Sequence, residues 1–139
     1  MDSLESAGLD GLIADNRRRQ PTETRPWGSF YVLDEGSGFK VKRLVVRPLG
    51  RLSLQSHRHR WEHWTVVSGE ATVTVDESVK KMTPGQSIDI AQGARHRLEN
   101  FGAAEVEVIE VQFGDYLGED DIVRYDDAYD RAGNAAAGV

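Results

Sequence analysis

The fold this sequence predicts is all-β, a sandwich or barrel and most simply a jelly roll. Three observations carry the prediction. Apolar and polar residues alternate with a period of two in ATVTV (71–75) and VEVIEVQ (106–112), as on strands buried on one face. Glycine, proline and polar clusters interrupt the chain at 34–38, 48–50, 68–69, 83–85 and Gly93, leaving segments of strand length. No amphipathic stripe longer than about three helical turns is visible. Many short, evenly spaced strands bury their inner faces best in a jelly roll.

Taken in order, residues 1–24 are polar apart from Leu9, Leu12 and Ile13, and they carry the basic run Arg17, Arg18, Arg19. Such a stretch cannot bury enough apolar surface to order itself, so a flexible arm is expected. The folded unit starts at Arg25-Pro26-Trp27-Gly28 and occupies 25–131 as one domain. Strands are expected at 29–33, 39–47, 52–59, 63–67, 71–75, 87–90, 96–99 and 106–113. The stretch YLGEDDIVRYDDAYDR (116–131) reads as a loop with a short helix, Asp120, Asp121 and Arg124 lying at its solvated, capped start. The tail 132–139 is expected to be disordered.

Composition narrows the function. The chain has 139 residues, of which 39% are hydrophobic and 29% charged, ordinary values for a globular protein large enough to hold a core. A formal net charge of −6 disfavours nucleic acid and anionic membrane as partners. It leaves open a small anionic ligand in a locally positive pocket. With no cysteine, disulfides, thiolate metal sites and thiol catalysis are excluded. No apolar run reaches the ~20 residues that span a bilayer, and the N-terminus lacks the order of a signal peptide. A cytoplasmic location is expected.

All four histidines, His57, His59, His63 and His96, fall between Gly50 and Asn100, beside Gln55 and Glu62. Imidazole and carboxylate oxygen are common ligands for divalent transition metals. On a regular strand Ser53, Gln55, His57 and His59 share one face, with Leu52, Leu54 and Ser56 on the other. A polar row backed by leucines suits the wall of a ligand pocket. By the same alternation Arg58, Arg60, Arg95 and Arg97 should point away from it. His63 falls opposite Glu62 and reads as a buried, hydrogen-bonded histidine. Glu110 and Gln112 continue the face of Val106 and Val108, so that stripe turns polar toward one end. Lys40 and Lys42 share a face and Arg43 takes the other, which puts at least one cation inside. A buried cation needs a carboxylate or an anionic ligand to offset its desolvation.

The spacing of Gln55, His57, Glu62 and Gly69, followed by Gly85, Gly93, His96 and Asn100, resembles the two motifs of the cupin superfamily. Ala91 replaces a usual proline, and Gln55 stands where most cupins have histidine. Together RPWGSFYVLDEGSGFKVKRLVV, RLSLQSHRHRWEHWTVVSG, GARHRLENFG and VIEVQFGDYLGEDDIVRYDDAYDR resemble the C-terminal cupin domain of type II phosphomannose isomerases. That domain is usually fused behind a mannose-1-phosphate guanylyltransferase. No nucleotidyltransferase lies in these 139 residues, so the chain alone is not expected to make GDP-mannose. The resemblance implies a double-stranded β-helix holding a divalent metal on Gln55, His57, Glu62 and His96, with His59 as rival to Gln55. Zinc is the first choice of metal, with manganese, cobalt, nickel or iron as alternatives. It also implies isomerisation of mannose 6-phosphate and fructose 6-phosphate, with His59 or Glu110 as proton shuttle and Lys42 and Gln112 on the substrate. A sugar-binding or regulatory module without turnover is the alternative. A homodimer is expected, because the leucine face and Trp27, Trp61 and Trp64 exceed what a small barrel buries.

Overall fold

The computed structural model describes residues 20–129. Eleven strands and no helix occur among them: β1 (Glu23–Arg25), β2 (Gly28–Gly36), β3 (Phe39–Val46), β4 (Leu54–Ser56), β5 (Arg60–Ser68), β6 (Ala71–Val75), β7 (Ser78–Met82), β8 (Ser87–Ile90), β9 (His96–Glu99), β10 (Val106–Gly114) and β11 (Val123–Asp126). They form two antiparallel sheets, one in the order β1-β2-β3-β10-β5-β8 and the other β11-β4-β9-β6-β7. This is the expected all-β jelly roll.

The inner face of the six-stranded sheet decides where a site can form. Its cross-strand rows run Val46–Val106, then Leu44–Val108–Val66, then Lys42–Glu110–Trp64–Ile88, then Lys40–Gln112–Glu62–Ile90. Apolar rows at one end pack with Trp27, Phe30, Val73 and Leu98 into a single core. At the other end the same alternation delivers charged side chains between the sheets. The apolar stripe that turns polar along β10 is therefore continued on both neighbouring strands.

Two glycines are needed for this geometry. Gly69 takes φ +78° in the turn from β5 to β6, and a Cβ there would come 2.5 Å from the Glu105 carbonyl. Gly28 opens β2 at φ +151°, where a Cβ would lie 2.0 Å from the Val45 carbonyl. Only glycine tolerates both the conformation and the approach.

Several expectations are corrected. The strand expected over 52–59 stops at Ser56, and its successor begins at Arg60 rather than His63. Strand β7 was missed because SVKKM does not alternate. Only Met82 of it is buried, and it is a sheet edge whose lysines discourage further pairing. The short helix after Gly114 is absent, and Arg124 instead pairs with Gln55 across β11 and β4. The folded unit starts before Arg25, since the Thr22 N–H bonds the Phe30 carbonyl at 2.9 Å and β1 pairs with β2. The rest of the expected arm and the tail 132–139 lie outside the described residues. Trp27 and Trp64 are buried and Leu52 joins the core, leaving Trp61 as the exposed tryptophan. No helix among the described residues is long and apolar enough to cross a membrane.

Candidate metal centre

Glu62, on the inner face of β5, is the hub of the polar end. Its Oε2 lies 3.4 Å from His57 Nε2 and its Oε1 3.6 Å from His96 Nε2. All three side chains are buried, and their ligand atoms lie within 4.8 Å of one another. The His57 and His96 rings are 4.9 Å apart. Two stretches distant in the chain supply them, His57 and Glu62 from one and His96 from the other, because β9 brings His96 to β4, where it pairs with Gln55. The Gly93 N–H, 2.9 Å from the His57 carbonyl, ties the second motif to the first.

Backbone carbonyls fix how the two rings present themselves. His57 Nδ1 donates to the Asp121 carbonyl at 2.6 Å, and His96 Nδ1 to the Ala94 carbonyl at 3.0 Å. Each ring thus carries its proton on Nδ1 and turns a bare Nε2 toward Glu62. An outer hydrogen bond of this kind selects the tautomer and orients a metal-ligating histidine. Burial pushes His57 down to about 4, with the charges of Arg60 and His96 adding to it. Burial also holds His96 below its ordinary value. Both rings are neutral at pH 7 and need lose no proton to bind a cation.

The donor set fits a divalent transition metal. Two imidazole nitrogens and one carboxylate are a usual protein contribution to an open site. A cation already sits against this set: Arg60 donates through Nε to Glu62 Oε2 at 2.7 Å and through its guanidinium to His57 Nε2 at 3.2 Å. Gln112 adds a second indication. Fully buried and directly across the ladder from Glu62, its Oε1 has no hydrogen-bond partner. An orphaned buried acceptor costs about 1–3 kcal/mol, and a nearby cation would offset that.

Glu110 lies one row inward. Trp64 Nε1 donates to Glu62 Oε1 at 3.0 Å and to Glu110 Oε1 at 3.1 Å, while Gln112 Nε2 donates to Glu110 Oε2 at 2.8 Å. Burial pushes the Glu110 carboxyl up to about 7, assisted by the charge of Glu62 and opposed by Lys42 and Arg60. Lys42 is buried over the Phe30 ring, 4.2 Å from its centroid, and pairs with Glu119. A cavity of about 80 Å³ opens between these groups, with Lys42, Gln55, Arg60, Glu110, Glu119 and Arg124 on its wall.

Of the residues expected at the site, the structure brings together His57, Glu62, His96, Glu110 and Lys42. Gln55 lies beside His96 on the cavity wall, its Nε2 bonded to Ser53 at 3.2 Å. Gln112 is not on that wall and bonds Glu110. His59 is not brought in. The chain turns between Ser56 and Arg60, which leaves His59 exposed with its ring edge-on to Tyr116, 6.0 Å away. His63 is only half-buried and bonds Asp89 at 2.6 Å. Of the four arginines expected to point away, Arg60 points in. Once β5 starts at residue 60, Arg60, Glu62, Trp64 and Val66 share one face, an alternation already present in RWEHWTVV. The sequence places Asp121 at a helix start. It is buried instead, its carboxylate accepting the Arg58 and His59 N–H groups at 2.9 Å each.

The two sheets are arranged in the cupin fold. A solved sugar phosphate isomerase of the cupin superfamily from Silicibacter pomeroyi has the same fold, with TM-score 0.57 and 23% identity over 61% of this chain and 58% of that one. The family is narrower than the fold: residues 14–127 match the model of the mannose-6-phosphate isomerase C-terminal domain, and the chain belongs to that family. It is 48% identical to the alginate biosynthesis protein AlgA of Pseudomonas syringae pv. tomato over 95% of this chain and 29% of that protein. It is 55% identical to the xanthan biosynthesis protein XanB of Xanthomonas campestris pv. campestris over 77% of this chain and 23% of that protein. The chain thus spans less than a third of the length of these relatives.

Proposed function

We propose that this chain is a metal-dependent sugar-phosphate isomerase interconverting mannose 6-phosphate and fructose 6-phosphate. The observation that carries the reading is a metal-type triad beside a buried carboxyl whose pKa lies near neutrality. Aldose–ketose isomerisation removes a proton from C2 and returns it to C1, through an enediolate whose charge must be stabilised. Glu110 suits the transfer. A general acid–base is most effective when its pKa is close to the working pH, and Gln112 and Trp64 hold both carboxylate oxygens in place. His59, exposed beyond the turn, leaves that role to Glu110. His57, Glu62 and His96 would hold the metal, with Gln55 beside them. A bound divalent ion would supply Lewis-acid stabilisation of the charge developing on the sugar oxygens. Lys42 would hold the phosphate.

The test is an enzyme-linked assay for fructose 6-phosphate formed from mannose 6-phosphate, on chelated protein and after zinc, manganese, cobalt, nickel or iron is restored. Turnover restored by one of these metals supports the reading. Mannose 6-phosphate binding without turnover under every metal overturns it in favour of a sugar-binding module.

A further inference from the structure

We propose that Glu119 stands in for the substrate's phosphate: it neutralises Lys42 until an anionic ligand displaces it, and so selects phosphorylated over neutral sugars. The inference deepens the isomerase reading and rests on it for the identity of the ligand.

Four observations support it. Lys42 is 4% exposed, so its ammonium requires a permanent counter-charge. Its ion-pair partner is Glu119, a residue outside the sheets whose own side chain is 47% exposed. A carboxylate already half in water can leave the pair at small desolvation cost, whereas the lysine cannot. Second, the cavity is only about 80 Å³, while pockets that take small organic ligands hold roughly 300–1,000 Å³. Its enclosed part holds only a few waters, so seating a phosphate against Lys42 requires the wall beside it to give. The sheet-borne residues Lys42 and Glu110 are fixed by the ladder, whereas Glu119 is the charged wall residue that lies outside the strands. Third, Glu119 occupies a turn closed by the Asp121 N–H on the Gly118 carbonyl at 3.1 Å. That turn is pinned on both sides, by Lys40 Nζ on the Leu117 carbonyl at 2.9 Å and by the Asp121 carboxylate on the 58–59 backbone. A local rotation could swing Glu119 outward while the ends stay docked. Fourth, Arg25, Lys42, Arg60 and Arg124 line the cavity against only Glu110 and Glu119. Withdrawing Glu119 leaves a net positive chamber suited to a phosphate dianion.

A neutral sugar offers nothing to replace the lost pair and must bear its full cost, whereas a phosphate restores a counter-charge on Lys42. The closed form lowers apparent affinity by the fraction of molecules in it. The experiment is calorimetric titration of the metal-loaded chain with inorganic phosphate and, separately, with mannose. Wild type is compared with Glu119→Gln and with Asp120→Asn, which removes a neighbouring charge bonded to Tyr116 rather than to Lys42. Glu119→Gln should tighten phosphate binding about fivefold or more, with Asp120→Asn within about twofold of wild type and phosphate's advantage over mannose widened. Unchanged or weaker phosphate binding in Glu119→Gln overturns the proposal. So does equal tightening by both variants, which would reduce the effect to general charge. Because the readout is binding, a chain without isomerase turnover can still pass this test, and an active isomerase can fail it.

Discussion

At the scale of the residue, Glu110 carries the most specific expectation. Glu110→Gln keeps size and burial but cannot accept a proton, so metal content should stay at the wild-type level while kcat falls about 10²–10⁴-fold. The wild-type profile should rise with pH through a limb at or below about 7, because the base must be ionised and a bound metal acts to lower its pKa further. The variant should lack that limb. Stability of the metal-free protein follows with a definite sign. Between 4.5 and about 7 the folded chain holds a proton on Glu110 that the unfolded chain has released. Its contribution is therefore full below 4.5 and lost as pH rises through 7. Measured by denaturant unfolding, Glu110→Gln should gain on wild type across that window, by on the order of 3 kcal/mol. A flat difference would contradict the burial argument. Residue identities were legible wherever alternation was unbroken: Glu62, His96, Glu110 and Lys42 all lie where a period of two puts them. His59 and Arg60 were misread for one reason. The period was carried through a turn that HRHR does not announce, and a slip of that kind exchanges the faces of every residue beyond it.

At the scale of the element, the segment between β10 and β11 does more than its sequence suggests. GEDDIVRYDD has the composition of a solvated helix start, and no local signal shows that β11 pairs with β4 or that Asp121 is buried. Those are tertiary facts, set by the need to cover the open edge of a three-residue strand. Asp121 holds His57 through its carbonyl and the 57–59 turn through its carboxylate. Asp121→Ala should accordingly release the turn and weaken metal affinity about 10–100-fold, as loss of outer-sphere support typically does. Competition against a chromogenic chelator would read this. Unaltered affinity would reduce the segment to a cover.

At the scale of the whole molecule, the jelly roll was readable because each of the eight expected strands overlaps an observed one and only the edge strands β1, β7 and β11 were missed. The homodimer expected from the sequence now rests on a different surface. The barrel buries Leu52, Trp27 and Trp64 itself, but the outer face of the six-stranded sheet carries Trp61 stacked on Phe113 at 4.2 Å beside half-buried Val41, Ile109 and Val111. We expect two copies to cover this face by two-fold pairing, giving twice the 15.5 kDa chain mass in light scattering at micromolar concentration. A monomer mass would remove the expectation. The central claim is that one metal, held by His57, Glu62 and His96, drives sugar-phosphate isomerisation. Its most direct measurement is turnover of mannose 6-phosphate by the chelated protein as metal is added back in known equivalents. Activity should begin near zero, rise in proportion to metal and stop at one equivalent per chain, with His57→Ala flat throughout. Full turnover in the chelated protein, or turnover that metal restores equally to His57→Ala, would contradict the account.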